Sequence, residues 1–183
     1  GGDQQEVLRV AASIDQGSEH PLAHAIVAEA RLRGLALTKP EAFESSSGIG
    51  VRGSVDGKRI ALGNTALMDI EQVDWRPLAD QAEALRLEGA SVMYLAADRQ
   101  LLGVVAVADP IKETTAEALA TLKEAGIAVV MATGDGVTTA KSVGAKLGIS
   151  EVYGEVKPQD KLALVEKLQR EGKTVAMAGD GIN

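Results

Sequence analysis

From Ile111 onward the chain repeats one pattern, a helical stretch closed by a glycine and then a short apolar run. The helical stretches are 112–125, 137–147 and 159–171, closed by Gly126, Gly148 and Gly172, and the apolar runs lie at 127–132, 151–154 and 174–178. Parallel strands cannot be joined by a tight turn and need a helical crossover, so this alternation predicts a parallel, doubly wound sheet. Ligands of such sheets bind beyond the carboxyl ends of the strands. The loops after 132, 154 and 178 are therefore expected to open on one edge.

Residues before about 108 follow a different rule. Val7, Leu8, Ala11 and Ile14 paint one face of a first helix. Ser18 is placed to cap a second, with Pro21 in its first turn, Leu22, Ile26, Val27 and Ala30 along its stripe, and Gly34 at its end. Residues 50–63 read as a hairpin turning at Asp56-Gly57, where the sheet is expected to start. A helix opened by Asp74 and Pro77 and closed by Gly89 precedes strands at 91–97 and 101–107. Asp109-Pro110 falls where the style changes, which places a hinge there and domains at 1–107 and 108–183.

Composition narrows the function. A net charge of −7 and only four aromatic residues (one Trp, two Tyr, one Phe) disfavour a surface that follows nucleic-acid phosphates or stacks bases. The absence of cysteine removes disulfides, thiolate metal sites and cysteine nucleophiles. No apolar run approaches the roughly 20 residues of a membrane span, so the piece is expected to be soluble.

Three strings should meet at the edge of the second domain. They are Thr133-Gly134-Asp135, Lys157-Pro158-Gln159-Asp160-Lys161 and Gly179-Asp180-Gly181-Ile182-Asn183. Moving a phosphoryl group demands charge placed around it more than covalent chemistry from the protein. Thr133 can donate to a phosphoryl oxygen, Lys161 can neutralise its charge, and Asp180 can hold Mg²⁺, which prefers oxygen ligands. Asp135 can orient through its loop or cap the helix that follows. Singly each string reads as a turn or a solvated helix end; three in order at one edge read as a site.

In that order, the three strings and Asp109-Pro110 resemble the phosphorylation-domain motifs of the P-type ATPases, a branch of the haloacid-dehalogenase superfamily. Ser18-Glu19-His20-Pro21 resembles the signature of the heavy-metal-transporting members, and Gly48-Ile49-Gly50 their glycine loop. Asn64 matches a further nucleotide-contacting position, and Asp15 stands where the family usually has Glu, five residues before the histidine. Asp109-Pro110-Ile111-Lys112 looks more like the copper exporters than the zinc and cadmium exporters. The resemblance implies an α+β nucleotide-binding domain, an antiparallel sheet with flanking helices, followed by an incomplete doubly wound parallel, haloacid-dehalogenase-like phosphorylation domain. It implies ATP and Mg²⁺ as cofactors, with ATP held by Asp15, Glu19, His20, Gly48, Gly50 and Asn64. Phosphoryl chemistry would fall to Thr133, Gly134, Asp135, Lys161 and Asn183, with Mg²⁺ on Asp180.

The parent implied is a membrane pump exporting copper(I), with this piece on its cytoplasmic face and the actuator and transmembrane parts as its partners. The family's phosphorylated aspartate lies in an Asp-Lys-Thr-Gly string, and no such string occurs here. The piece is therefore expected to bind ATP without turning it over. Two other readings stay open: a soluble phosphatase whose cap is the first domain, and a stand-alone nucleotide-binding module. A metal site at His20 and His24 is disfavoured, since two ligands do not close one.

Overall fold

The computed structural model describes residues 4–108 and 111–179. Packing divides the chain into two compact units, Gly1–Asp109 and Pro110–Asn183.

The first unit is a five-stranded antiparallel sheet with a helical layer on each face. Its strands, β1 (Glu41–Ser46), β2 (Gly50–Val55), β3 (Lys58–Gly63), β4 (Ser91–Ala97) and β5 (Gln100–Val107), lie side by side in chain order. Period-two alternation along them feeds two cores. Val51, Val55, Ile60, Leu62, Leu95 and Val105 meet Val10, Ala11, Ile14 and Ile26 of α1 (Gln4–Asp15) and α2 (Pro21–Leu32). On the other face Ala61, Val92, Tyr94 and Ala96 pack with Leu67, Met68 and Ala82 of α3 (Thr65–Ile70) and α4 (Ala79–Leu87). A short 3₁₀ turn, Arg76–Leu78, leads into α4.

The β2–β3 and β4–β5 hairpin turns both use the left-handed region. Asp56 and Gly57 (φ 52° and 74°) make the predicted turn, and Asp98 and Arg99 (φ 46° and 64°) make the one between β4 and β5. Asp98 is held there because its carboxylate accepts from the Arg59 N–H at 2.9 Å.

Three expectations for this unit need correction. The sheet starts at Glu41 rather than at residue 50: β1 carries a single large apolar residue, Phe43, and is an edge strand guarded by Glu41 and Glu44, so it lacks the alternation of a half-buried strand. α3 was not anticipated, being six residues long and dependent on Asn64 as its cap. The residue capping α2 is His20, not Ser18.

In the second unit α5 (Thr114–Glu124), β6 (Val130–Ala132), α6 (Val137–Leu147), β7 (Glu151–Tyr153) and α7 (Pro158–Arg170) follow the predicted alternation, and β6 and β7 pair in parallel. Gly126, Gly148 and Gly172 all take positive φ at the helix ends. The expected strand at 174–178 is not formed; residues 173–179 have no regular structure and are exposed apart from a half-buried Val175. A strand needs a hydrogen-bonding neighbour, and among the described residues none pairs with this run. The result is a mixed α/β architecture in which the parallel sheet has two strands among the described residues.

Candidate functional site

Asp15 ends α1 and is only 5% exposed. No hydrogen bond or ion pair from the described residues reaches its carboxylate, and burial alone pushes its pKa up to about 7. With Gln16, Ser18, His24, Val27, Ala28 and Arg31 it lines an open cavity of about 350 Å³. The chain leaves α1 through Gly17, where a Cβ would lie 2.7 Å from the Phe43 ring, so a larger residue here would require that ring to move. Sequence reasoning missed Gly17; its signal was a glycine directly before Ser18-Glu19-His20-Pro21.

His20 is exposed and begins α2. Its Nδ1 accepts from the Leu22 N–H at 3.2 Å, and its own N–H donates to Ser18 Oγ at 3.2 Å. The accepting Nδ1 puts the ring proton of the neutral imidazole on Nε2. Glu19 is exposed.

A second group forms around the glycine loop between β1 and β2. Gly48 (φ 73°) and Gly50 (φ 144°) occupy conformations that side chains resist. A Cβ on Gly50 would strike the Leu62 carbonyl and come 2.6 Å from Gly63 Cα, whereas one on Gly48 would meet open space. Asn64 follows β3, donates from Nδ2 to the Gly48 carbonyl at 2.9 Å, and accepts at Oδ1 from the Leu67 N–H at 3.2 Å. Gly63, opposite Gly50 in the ladder, was undervalued from sequence: its Cβ would strike the Ile49 carbonyl. The described contacts hold each group together internally, and none of them runs from Asp15, Glu19 or His20 to Gly48, Gly50 or Asn64.

In the second unit the loops after β6 and β7 do share an edge. Thr133 N–H donates to the Tyr153 carbonyl, Val156 N–H to the Thr133 carbonyl (both 2.9 Å), and Glu155 N–H to the Asp135 carbonyl at 2.6 Å. Gly154 is squeezed by this weave, since its Cβ would lie 2.7 Å from Val137 Cα. Thr133 Oγ1 donates to Asp135 Oδ2 at 2.8 Å and accepts from the Asp135 N–H at 3.2 Å. Gly134 lies exposed between them. Lys161 is half-buried in the first turn of α7, whose start is fixed by the Asp160 carboxylate accepting from the Lys157 N–H at 3.0 Å. No hydrogen bond or ion pair among the described residues ties the Lys161 ammonium to Thr133 or Asp135. Asp180, Gly181, Ile182, Asn183 and the Asp109-Pro110 step lie outside the described residues. Among the described residues no three His, Asp or Glu side chains gather to hold a metal ion, and no helix is long and apolar enough to cross a membrane.

The model of the haloacid dehalogenase-like hydrolases matches residues 4–183. The chain belongs to this family. A copper-transporting P-type ATPase of Rhizobium leguminosarum bv. viciae is 46% identical over 180 residues, which is 98% of this chain and 21% of the relative. A silver exporting P-type ATPase of Salmonella typhimurium is 43% identical over 182 residues, 100% of this chain and 22% of the relative. Among solved structures, the catalytic domain of a CPx-ATPase, described for its conformational changes upon nucleotide binding, superposes with a TM-score of 0.66 at 25% identity, covering 98% of this chain and 64% of that one. The chain thus spans about a fifth of the length of these curated relatives.

Proposed function

We propose that this chain of the haloacid dehalogenase-like family is the ATP-handling part of a P-type ATPase that exports copper(I) or a similarly soft monovalent ion. The observation that carries the reading is identity above 40% with copper and silver exporters across essentially the whole chain. The first unit is the nucleotide-binding domain, with Asp15, Glu19 and His20 toward the base and Gly48 and Gly50 giving the nucleotide access to bare backbone. The second is a phosphorylation domain in which Thr133, Gly134, Asp135, Lys161 and Asn183 surround the transferred phosphoryl group.

Bound together with ATP, Mg²⁺ would supply positive charge against the phosphates. Thr133 and Asp135 present a hydroxyl and a carboxylate, an all-oxygen donor set that fits a hard cation, and Asp180 would complete it. The chain's own contribution is to hold and orient: Thr133 Oγ1 is fixed by two hydrogen bonds, and Lys161 brings positive charge to the start of α7. Without an Asp-Lys-Thr-Gly string the chain binds ATP but does not phosphorylate itself. The rest of the pump, with its membrane-spanning and actuator parts, is the partner, and the chain works on the cytoplasmic face.

Titrating ATP into the protein by calorimetry tests the reading, with His20→Ala and Gly48→Ala as variants. Gly48 is the better probe in the loop, because a Cβ there meets no neighbour and cannot act through packing. Wild type is expected to bind, and each variant to lose about tenfold or more in affinity. A wild type that fails to bind, or variants that bind as well as it does, would sink the assignment.

A further inference from the structure

Asn64 hydrogen-bonds two pieces of chain, the glycine loop and α3, which also meet where Ile49 packs on the cluster of Leu67 and Met68. Its N–H donates to the Ile49 carbonyl at 2.9 Å, its Nδ2 to the Gly48 carbonyl at 2.9 Å, its Oδ1 accepts from Leu67 N–H, and its carbonyl accepts from Met68 N–H, both at 3.2 Å. The orientation of the carboxamide is set by these partners: a backbone carbonyl only accepts and a backbone N–H only donates, so Nδ2 faces Gly48 and Oδ1 faces Leu67. Both ends of the side chain are therefore engaged within the protein.

The loop it holds has one rigid anchor, the close Gly50–Gly63 pairing, where a Cβ on either residue would strike the opposite strand's backbone. Its other end, at Gly48, is in the left-handed region, and among the described residues the Asn64 carboxamide is the one side chain hydrogen-bonded to it. Releasing that bond frees Gly48 to sample the wide range of backbone angles open to glycine.

We propose that Asn64 is a positioning residue: it acts on nucleotide affinity by fixing the Gly48 carbonyl, and so the aim of the loop's peptide groups, rather than by touching the nucleotide. This rests on the nucleotide-site reading above. A ligand that binds only the aimed loop sees its affinity fall by the fraction of time the loop is aimed.

The test uses the full chain with Asn64→Asp and Asn64→Ser. Both keep an oxygen to cap α3, and both lose the Nδ2 donor; the aspartate also sets a carboxylate against the Gly48 carbonyl. Amide NMR without nucleotide is expected to show shifted Gly48 and Gly50 resonances and faster exchange of the Ile49 and Asn64 N–H groups. The denaturation midpoint read from Trp75 should stay near wild type, and ATP affinity should fall about tenfold, more for aspartate than for serine. Lost affinity with an unperturbed ligand-free loop would overturn the proposal, because Asn64 would then be a direct contact. A perturbed loop with intact affinity would overturn it too, since the loop's aim would not govern binding. Absence of ATP binding by wild type would instead remove the nucleotide site on which the proposal stands.

Discussion

Replacing Asp15 with asparagine should make the first unit more stable at neutral and alkaline pH and leave it nearly unchanged in acid. Asp15 is 5% exposed, its carboxyl has no partner among the described residues, and burial moves its pKa from 3.8 to about 7. Between those values the folded protein holds a proton that the unfolded chain has released, so stability is fully present below about pH 4 and is lost as pH rises through 7. A displacement from 3.8 to about 7 corresponds to a ceiling on the order of 4 kcal/mol, and access of water through the open cavity reduces it. Asparagine keeps the shape and carries no charge, so the gain over wild type should grow from near zero at about pH 4 to roughly 2–4 kcal/mol at about pH 8. Urea unfolding followed by the fluorescence of Trp75, the chain's one tryptophan, reports this unit specifically. Taking the difference between the two proteins cancels every other titrating group. Parallel stability curves across that range would show that Asp15 does not titrate there and would refute the burial argument.

Glu71 should behave in the opposite sense. Its carboxylate is 7% exposed and bonds Arg59 through both oxygens (2.8 and 2.9 Å), which holds its pKa below the ordinary 4.5; the stability it contributes is present above that value and lost as pH falls through the lower folded one, so Glu71→Gln should lower the urea midpoint at neutral pH and flatten the acid limb. Gly50→Val should destabilise the first unit by on the order of 3 kcal/mol and Gly48→Ala by only about 1, a contrast that thermal melts can read, because only the first drives a side chain into β3. Hydrogen exchange should release the amides of 114–124 and 158–170 well before those of 91–97, since α5 and α7 bury no side chain completely while β4 is the centre of two cores.

The fold was legible where local chemistry alone decides it. Asp56-Gly57 announces its turn, Gly126, Gly148 and Gly172 announce helix ends, and the two rhythms of the chain separate the units. What could not be read was whatever depends on a distant partner. β1 exists because β2 offers it an edge, and Glu41-Ala42-Phe43-Glu44-Ser45-Ser46 alone has little apolar reason to extend. The run at 174–178 errs the other way: Val175, Ala176, Met177 and Ala178 form a good strand sequence, yet Met177 is 62% exposed and none of the described residues pairs with the run. Propensity states what a segment tolerates, and pairing decides what it does.

The site divides along the same line. The resemblance pointed to Asp15, His20, Gly48, Gly50 and Asn64, and the rule that ligands gather beyond parallel strand ends pointed to Thr133; taken singly, the residues read as turns and helix ends. The state of those groups was not. Whether Asp15 carries a charge depends on the packing of α1 and α2 around it, and with a pKa of about 7 the answer changes with modest acidification. Whether Thr133 presents its proton or its lone pairs depends on Asp135, which now takes that proton at 2.8 Å. As the structure stands, the Thr133 hydroxyl is spent on Asp135 Oδ2, so donation to any other oxygen requires that bond to break. The motif therefore names the atoms, and the hydrogen bonds decide which of them is free to act.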